Sequence, residues 1–132
     1  MVTLDSSAIV AFLDRQDTHH ESIGRIVNEH LGNPIIPSPV IAEIAYFIER
    51  DLSQSTLVAF AEDIGAGAFT LDCCERDWNR IARLIAKYAD FPLGLADAAV
   101  IACAERRGGL VATLDYRHFG VVAREGTIQI VP

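Results

Sequence analysis

Short apolar segments alternate with longer amphipathic segments along almost the whole chain, and this alternation constrains the fold more than any other feature. Apolar residues predict strands at Val2 to Leu4, "PIIPSP", "AFTLD", "LVATL" and "TIQIVP", the first ending at Asp5 and the fourth at Asp115. Strands separated by helices pair in parallel through right-handed crossovers. The sequence therefore predicts an α/β fold, a three-layer α/β/α sandwich with a central, mostly parallel sheet of four to five strands, in a single domain over residues 1–132.

Caps, stops and a 3.6-residue apolar period delimit the predicted helices. The first helix, "SSAIVAFLD", takes Ser6 or Ser7 as its cap, and the second runs from about Glu21 to Leu31. The next two are "PVIAEIAYFIER", with Pro39 in its first turn, and "SQSTLVAFAEDIG"; a later one, "LADAAVIACAERRGG", ends at two glycines. The helix in "ERDWNRIARLIAKYAD" is predicted to bury a stripe made of Trp78, Ile81, Ala82, Ile85, Tyr88 and Ala89.

Composition predicts a soluble globular protein. Hydrophobic residues make up 51% of the chain, too many for a disordered chain, yet no apolar run approaches the ~18 to 20 residues of a membrane span. No basic n-region precedes Asp5, so no targeting segment is expected and the cytoplasm is the predicted location. Cys73, Cys74 and Cys103 contain no C-x-x-C pair, which favours reduced, packed thiols over a disulfide or zinc framework.

The charge balance bears on the partners of the protein. Eighteen acidic residues against 11 basic ones give a net charge of −7, whereas broad electrostatic capture of nucleic acid usually needs a basic surface. This argument against a nucleic-acid partner weakens if several of the acids bind divalent metal.

Four carboxylates stand alone in apolar runs, where an ionised side chain is costly to bury unless a cation offsets it. Asp5 is the only charged residue before Asp14. The other three, Glu43, Asp97 and Asp115, are the single charged residues of "HLGNPIIPSPVIAEIAYFI", "FPLGLADAAVIACA" and "GGLVATLDY", with histidine taken as neutral. Each acid also has a local alternative role: Asp5 and Asp115 could cap the helices that follow them, Asp97 could be a first-turn acid, and Glu43 could face solvent. Four such acids together favour a shared site.

The predicted topology brings these acids to one edge of the sheet. Sites in open parallel sheets form beyond the carboxyl ends of the strands, where Asp5 and Asp115 lie, and helices that begin at this edge carry Asp97 and Glu43. Clustered carboxylates do not stay ionised together without cations, and hard oxygen ligands select Mg²⁺ or Mn²⁺. Divalent ions held by acids promote in-line phosphoryl displacement, so phosphodiester hydrolysis is the predicted chemistry.

Four sequence blocks resemble, in order and spacing, those of PIN-domain ribonucleases, especially the VapC toxins of bacterial toxin–antitoxin pairs. The blocks are "VTLDSSAIVAFL", "PSPVIAEIAYFI", "GLADAAVIACAERRG" and "LVATLDYRHF", and the resemblance covers nearly the whole chain. It implies a PIN-like fold and a Mg²⁺- or Mn²⁺-dependent endoribonuclease, usually a homodimer, inhibited by a cognate antitoxin that inserts a segment over the active site. It also implies structured RNA substrates, commonly tRNA or ribosomal RNA, cut in exposed single-stranded loops.

The resemblance also assigns roles to individual residues. The metal-binding, catalytic acids that it implies are Asp5, Glu43, Asp97 and Asp115. Ser6 and Thr113 match hydroxyl positions that support the site by hydrogen bonds.

Basic residues close to these acids in the sequence are candidate RNA contacts. Arg15, His19 and His20 follow the first helix, and Arg117 and His118 follow the last of the acids. Both groups suit phosphate contacts at the edge of the site, and a solvated surface position is the alternative for each.

Other classes of function stay open on the residues alone. A phosphatase-like Mg²⁺-dependent hydrolase with a D-x-D motif also places Asp at the end of the first strand, but Ser7 stands at its second position. A receiver domain needs a late lysine, whereas the only lysine, Lys87, falls in the amphipathic helix. A metal-free ribonuclease would depend on the histidines. A catalytically silent PIN-fold module that binds protein is disfavoured, because a pure scaffold gains by replacing repelling acids with apolar residues.

Overall fold

The computed structural model describes residues 1–30 and 32–132, and within them an α/β fold of five strands and seven α-helices. The strands are β1 (Thr3–Leu4), β2 (Ile35–Pro37), β3 (Thr70–Asp72), β4 (Leu110–Ala112) and β5 (Gln129–Val131). The helices are α1 (Ser6–Leu13), α2 (His20–Glu29), α3 (Ile41–Asp51), α4 (Gln54–Gly65), α5 (Trp78–Lys87), α6 (Leu95–Arg106) and α7 (Tyr116–Ala123), with a short 3₁₀ helix (Ser38–Val40) before α3.

The strands form one parallel sheet in the order β3-β2-β1-β4-β5. The first strand lies at its centre, because Thr3 pairs with Ile35 on one side and with Val111 on the other. Helix α1 contacts α2 and α3, and α3 contacts α4; α6 contacts α5, α7 and the strands β1, β2 and β4. The two helix groups on the sheet confirm the predicted α/β/α sandwich.

The turns after β1 and β4 differ from the prediction in a way that matters for the site. The backbone N–H of Asp5 donates to the carbonyl of Ala112 at 3.0 Å, so sheet bonding continues to the residue directly before α1. Asp5 is therefore the N-cap residue of α1, and the predicted caps Ser6 and Ser7 fall in its first turn. Strand β4 ends at Ala112 rather than at Asp115, which is the N-cap residue of α7.

Two predicted helices also change. Helix α2 ends at Glu29, and the predicted end at Leu31 lies outside the described residues. Helix α5 buries Ile81 and Leu84, whereas Trp78 is 49% exposed. The predicted stripe was wrong at Trp78, Ala82 and Ala89, which are exposed, and it omitted the buried Leu84. Trp78 lies in solvent because the buried Asp77, the N-cap residue, turns toward Arg106 on α6.

Helix α6 is the most enclosed element. Every residue from Ala98 to Ala104 is buried, and five of these seven are alanine or cysteine, which lets the helix lie close to the sheet and to α5. Its Cys103 meets Cys74 and Ile35 in a small buried cluster of free thiols. None of the helices in the described residues has the length and apolar character that crossing a membrane requires.

Candidate active site

A pocket of about 420 Å³ opens where the carboxyl ends of β1 and β4 meet the N-terminal turns of α3 and α6. Six carboxylates line it, while its apolar wall comes from Val10, Phe47 and Leu114. The acids are Asp5, Asp17, Glu43, Asp51, Asp97 and Asp115. Within the described part of the chain, this lining includes no lysine or arginine. All four acids singled out in the sequence thus lie in one pocket.

Asp5 is the most buried of the pocket acids, with 3% of its surface exposed. It sits between the central strand and α1, and hydroxyl groups satisfy its carboxylate. Ser7 Oγ donates to Oδ2 at 2.8 Å, Thr113 Oγ1 donates to the same oxygen at 2.9 Å, and Ser6 Oγ lies 3.4 Å from Oδ1. These bonds hold the carboxylate in place but bring no compensating charge.

The same hydroxyls tie the two strand ends together. Thr113 Oγ1 also accepts the N–H of Asp115 at 3.0 Å, and Ser7 Oγ accepts the N–H of Leu114 at 2.9 Å. The turn after β4 is therefore fixed on the start of α1, which aligns Asp5 with Asp115. Ser7 was missed as a supporting residue because the sequence allowed it to be read as a helix cap.

Asp115 forms a compact unit with the helix that follows. Its Oδ1 accepts the backbone N–H of His118 at 3.1 Å, so it does cap α7, as one alternative held. The ring Nδ1 of His118 lies 2.9 Å from Oδ2 of Asp115. Asp97, Asp115 and His118 each offer one potential metal-ligand atom, and these three atoms lie within 4.8 Å of one another.

Burial and mutual repulsion disturb the titration of the pocket. Burial raises the pKa of Asp5 above its ordinary value, although hydrogen bonds from Ser7 and Thr113 oppose the rise. The pKa of Glu43 is also raised, first by burial and then by the charge of Asp5. For Asp97 the pKa rises to about 6, because burial is reinforced by the charges of Asp5 and Asp115. The pocket holds more negative charge than its surroundings stabilise.

This donor set fits a divalent cation. One oxygen of Glu43, Oε2, is buried and has no hydrogen-bond partner among the described residues. Carboxylate oxygens are the ligands that Mg²⁺ and Mn²⁺ prefer, and a bound cation would lower the pKa values that burial, and then repulsion between the acids, raises.

The structure separates the candidate RNA contacts into two groups. Arg117 and His118 lie beside the pocket, His118 on Asp115 and the Arg117 guanidinium over the ring of Phe91. Arg15 lines a neighbouring cavity with Asp14 and Gln16.

The two neighbouring histidines have local partners. The Nδ1 of His19 lies 3.4 Å from Asp17, a pocket acid, and 3.2 Å from the hydroxyl of Thr18. The Nδ1 of His20 lies 3.0 Å from the carbonyl of Ala11 and its ring stacks on Phe12, which holds α2 against α1.

Sequence reasoning also missed pocket residues in mixed segments. Asp17 stands in the polar run "DRQDTHH", and Asp51 follows Arg50, with which it forms an ion pair. Their setting in the sequence gives no signal of a buried site. The position of Phe47, four residues after Glu43 on α3, does follow from helical spacing.

The chain is similar to known proteins in sequence and in fold. The PIN domain family model matches residues 2–125. Ribonuclease VapC26 of Mycobacterium tuberculosis is 28% identical over 121 residues, which span 90% of this chain and 90% of that protein.

Two solved structures share the fold at low sequence identity. The crystal structure of Mycobacterium tuberculosis VapC20, a Sarcin-Ricin loop cleaving toxin, aligns with a TM-score of 0.78 at 15% identity and covers 100% of both chains. DNA-bound VapBC from Salmonella typhimurium aligns with a TM-score of 0.68 at 19% identity, covering 98% of this chain and 96% of that chain. With a family model matched over nearly its full length, this chain belongs to the PIN domain family.

Proposed function

We propose that this protein is a Mg²⁺- or Mn²⁺-dependent endoribonuclease, the toxin of a toxin–antitoxin pair, which hydrolyses phosphodiester bonds in structured RNA such as tRNA or ribosomal RNA. The observation that carries the proposal is the pocket in which Asp5, Glu43, Asp97 and Asp115 converge without a basic side chain among the described lining residues. The family and the ribonuclease relative support the same reaction. We take residues 1–132 as one nuclease domain.

The four acids would hold the cation, and the hydroxyls of Ser6, Ser7 and Thr113 would hold Asp5 in its ligating orientation. A divalent cation bound there supplies activation of water and neutralisation of charge at the phosphodiester. The contact between His118 and Asp115 fixes the rotation of that carboxylate. The N-terminal ends of α1, α6 and α7 carry Asp5, Asp97 and Asp115, so helix dipoles partly stabilise the acids.

The RNA strand would approach over the basic rim rather than over the acidic floor. Arg117 and His118 are next to Asp115 and are proposed to meet the phosphates beside the scissile bond. Arg15, His19 and His20 lie on the neighbouring surface around Asp14 and Asp17 and are proposed as outer contacts. Because the acids repel phosphate, these few cations matter more for orientation than for overall affinity.

A cognate antitoxin and a second copy of the chain are the proposed protein partners, and the cytoplasm is the proposed location. One of the solved structures with this fold is DNA-bound VapBC from Salmonella typhimurium, and the resemblance to VapC toxins implies a cognate antitoxin. Tyr46 on α3 and Val58 on α4 are 57% and 51% exposed, and they offer apolar surface for such contacts.

Cleavage assays with metal removal test the proposal. Protein treated with EDTA is incubated with total tRNA and ribosomal RNA, Mn²⁺ is restored, and the new RNA ends are sequenced. We expect no cleavage in excess chelator, discrete ends once Mn²⁺ returns, and at least about a hundredfold loss of rate in Asp5→Asn and Asp97→Asn.

The matched control is Asp63→Asn, which removes the same charge from an exposed position on α4 outside the pocket. It should cleave at the wild-type rate. Cleavage that persists in excess chelator would contradict the metal-dependent mechanism and implicate the histidines instead.

A further inference from the structure

A ring and a guanidinium stand next to the acidic pocket. The Phe91 ring packs against the ring of His118 with centroids 4.9 Å apart and planes inclined by 65°. The guanidinium carbon of Arg117 lies over Phe91, 5.8 Å from the ring centroid. His118 Nδ1 is also 2.9 Å from Asp115. The ring of His118 therefore connects the Asp115 carboxylate in the pocket to Phe91 and the Arg117 guanidinium above it.

We infer that Phe91 and Arg117 form a stacking platform for one unpaired nucleobase beside the scissile phosphate. This inference rests on the proposed function and adds to it a recognition element: the enzyme holds a single-stranded nucleotide by the face of its base. Specificity would then depend on an extruded base at the cleavage position.

The contacts of Arg117 support a ligand at this place. Arg50, Arg80, Arg106 and Arg107 each pair with a carboxylate. Among the described residues, Arg117 forms no ion pair, and the same holds for Arg15, Arg25, Arg76, Arg83 and Arg124. Of these six arginines, Arg117 is the one whose guanidinium lies over an aromatic ring, and it is exposed beside a pocket lined by six acids. An unpaired cation stacked on an aromatic ring, in a protein of net charge −7, suits an anionic ligand that also carries a π face.

The surroundings of Phe91 favour a platform over simple packing. It lies in the turn between α5 and α6, where its backbone N–H donates to the carbonyl of Tyr88 at 3.0 Å. The side chain is half-buried rather than enclosed, and exposed Pro92 follows it. Aromatic faces and guanidinium planes are the surfaces on which proteins stack unpaired RNA bases, whereas A-form duplex keeps the base faces hidden.

The experiment combines a protein change with a substrate change. The probe is the RNA fragment that contains the cleavage site, made with a normal base or an abasic nucleotide at each position flanking the cut. We expect Phe91→Ala and Phe91→Leu each to lower kcat/KM about tenfold on the normal RNA, and Phe91→Trp to retain most activity. At the flanking position whose base stacks on the platform, wild type should cut the abasic RNA about tenfold more slowly than the normal RNA. Phe91→Leu should cut the abasic RNA no more slowly than it cuts the normal RNA.

The control is Trp78→Ala, which removes an exposed aromatic ring from α5, next to Asp77 and Arg106 at the far end of α6. It should lose nothing on either RNA. The platform would be overturned if Phe91→Leu cleaved the normal RNA at the wild-type rate. It would also be overturned if the rate loss from Phe91→Leu and the rate loss from the abasic nucleotide were fully additive when combined.

A binding measurement separates this inference from the proposed function. Asp97→Asn protein is mixed with a short unstructured RNA that carries 2-aminopurine, whose fluorescence is quenched by stacking. Quenching that disappears in the Asp97→Asn, Phe91→Leu double variant supports the platform even if no RNA is cleaved. Equal quenching by both proteins, or none by either, overturns it while leaving cleavage by the acids unaffected.

Discussion

Two groups of carboxylates lie at opposite ends of α6, and their surroundings affect their charge in opposite ways. At its last turn, Arg106 Nη2 bonds Asp72 at 2.6 Å and Asp77 at 2.8 Å, and Arg107 Nη2 lies 2.7 Å from Asp72. The hydrogen bond from Arg106 holds the pKa of Asp72 well below its usual range. About 13 Å away, at the first turn of the same helix, the pKa of Asp97 is raised instead.

The difference shows that buried acids do not by themselves identify a site. In the group formed by Asp72, Asp77, Arg106 and Arg107, here called the arginine-paired cluster, the cations come from the chain and the network is complete. In the acidic pocket, neighbours supply hydroxyl groups and further acids, and Oε2 of Glu43 has no partner among the described residues. The arginine-paired cluster is balanced within the chain, whereas the described lining of the acidic pocket offers no lysine or arginine to balance its acids.

The largest expected effect tests the arginine-paired cluster. Asp72→Asn keeps an acceptor for the N–H of Cys74 but removes the charge that pairs with both arginines. Breaking a buried pair costs about 3 to 5 kcal/mol. Because 35% and 31% of the side-chain surfaces of Arg106 and Arg107 stay exposed, we expect a loss of about 3 kcal/mol in the free energy of unfolding, measured by urea denaturation.

Cleavage per folded molecule should be unchanged in Asp72→Asn, since the cluster is outside the pocket. A strong loss of cleavage without a loss of stability would mean that the two groups of acids do not have separate roles.

The second-largest expected effect is the stabilisation of the fold by an added cation. Mn²⁺ at about a hundred times its dissociation constant should raise the free energy of unfolding by about 2.7 kcal/mol, because it binds only the folded state. The gain should be retained in Asp72→Asn and largely lost in Asp97→Asn, as measured by the shift of Tm with Mn²⁺. Equal gains in both variants would show that the ion binds outside the pocket.

The smallest expected effect is the pH dependence of the metal-free protein. The pKa of Asp97 is about 6 in the fold against 3.8 ordinarily, so the folded state binds its proton more tightly. The resulting stabilisation is full below about pH 4 and is lost as the pH rises through about 6. Lowering the pH from about 7 to about 5 should therefore stabilise the wild type, and the gain over Asp97→Asn should be roughly 1 to 2 kcal/mol after solvent screening.

The arginine-paired cluster should not contribute over this interval. Asp72 has a lowered pKa, so its stabilisation is full above about pH 4 and is lost only in stronger acid. Parallel Tm profiles for wild type and Asp97→Asn between about pH 7 and about pH 5 would refute the assignment of the pH effect to the pocket.

The sequence predicted the sheet and the convergence of the four acids because both depend on local pattern. A lone carboxylate in an apolar run, such as Asp97 in "FPLGLADAAVIACA", is conspicuous wherever the chain folds. The parallel topology then places strand ends and helix starts at one edge, which was sufficient to bring Asp5 and Asp115 together.

The arginine-paired cluster could not be predicted in the same way. Asp72 and Asp77 stand in "TLDCCERDW", where neighbouring charges suggest a solvated turn, and their partners lie about thirty residues later on another helix. The misplacement of Trp78 has the same origin, since only the packing of α5 on α6 decides which side of its first turn is buried. Pairing between distant charges is a tertiary property with no periodic signature.

The burial of α6 over seven consecutive residues has a consequence for how this protein can lose activity. A helix enclosed on all sides cannot rotate to absorb an added methyl group, so enlarging Ala99 or Ala102 would displace the helix as a rigid rod. Asp97 would move with the helix and lose its present position relative to Asp5. Inactivating changes are therefore expected to accumulate along this helix in residues that never touch an ion or RNA, and inspection of the carboxylates alone would overlook them.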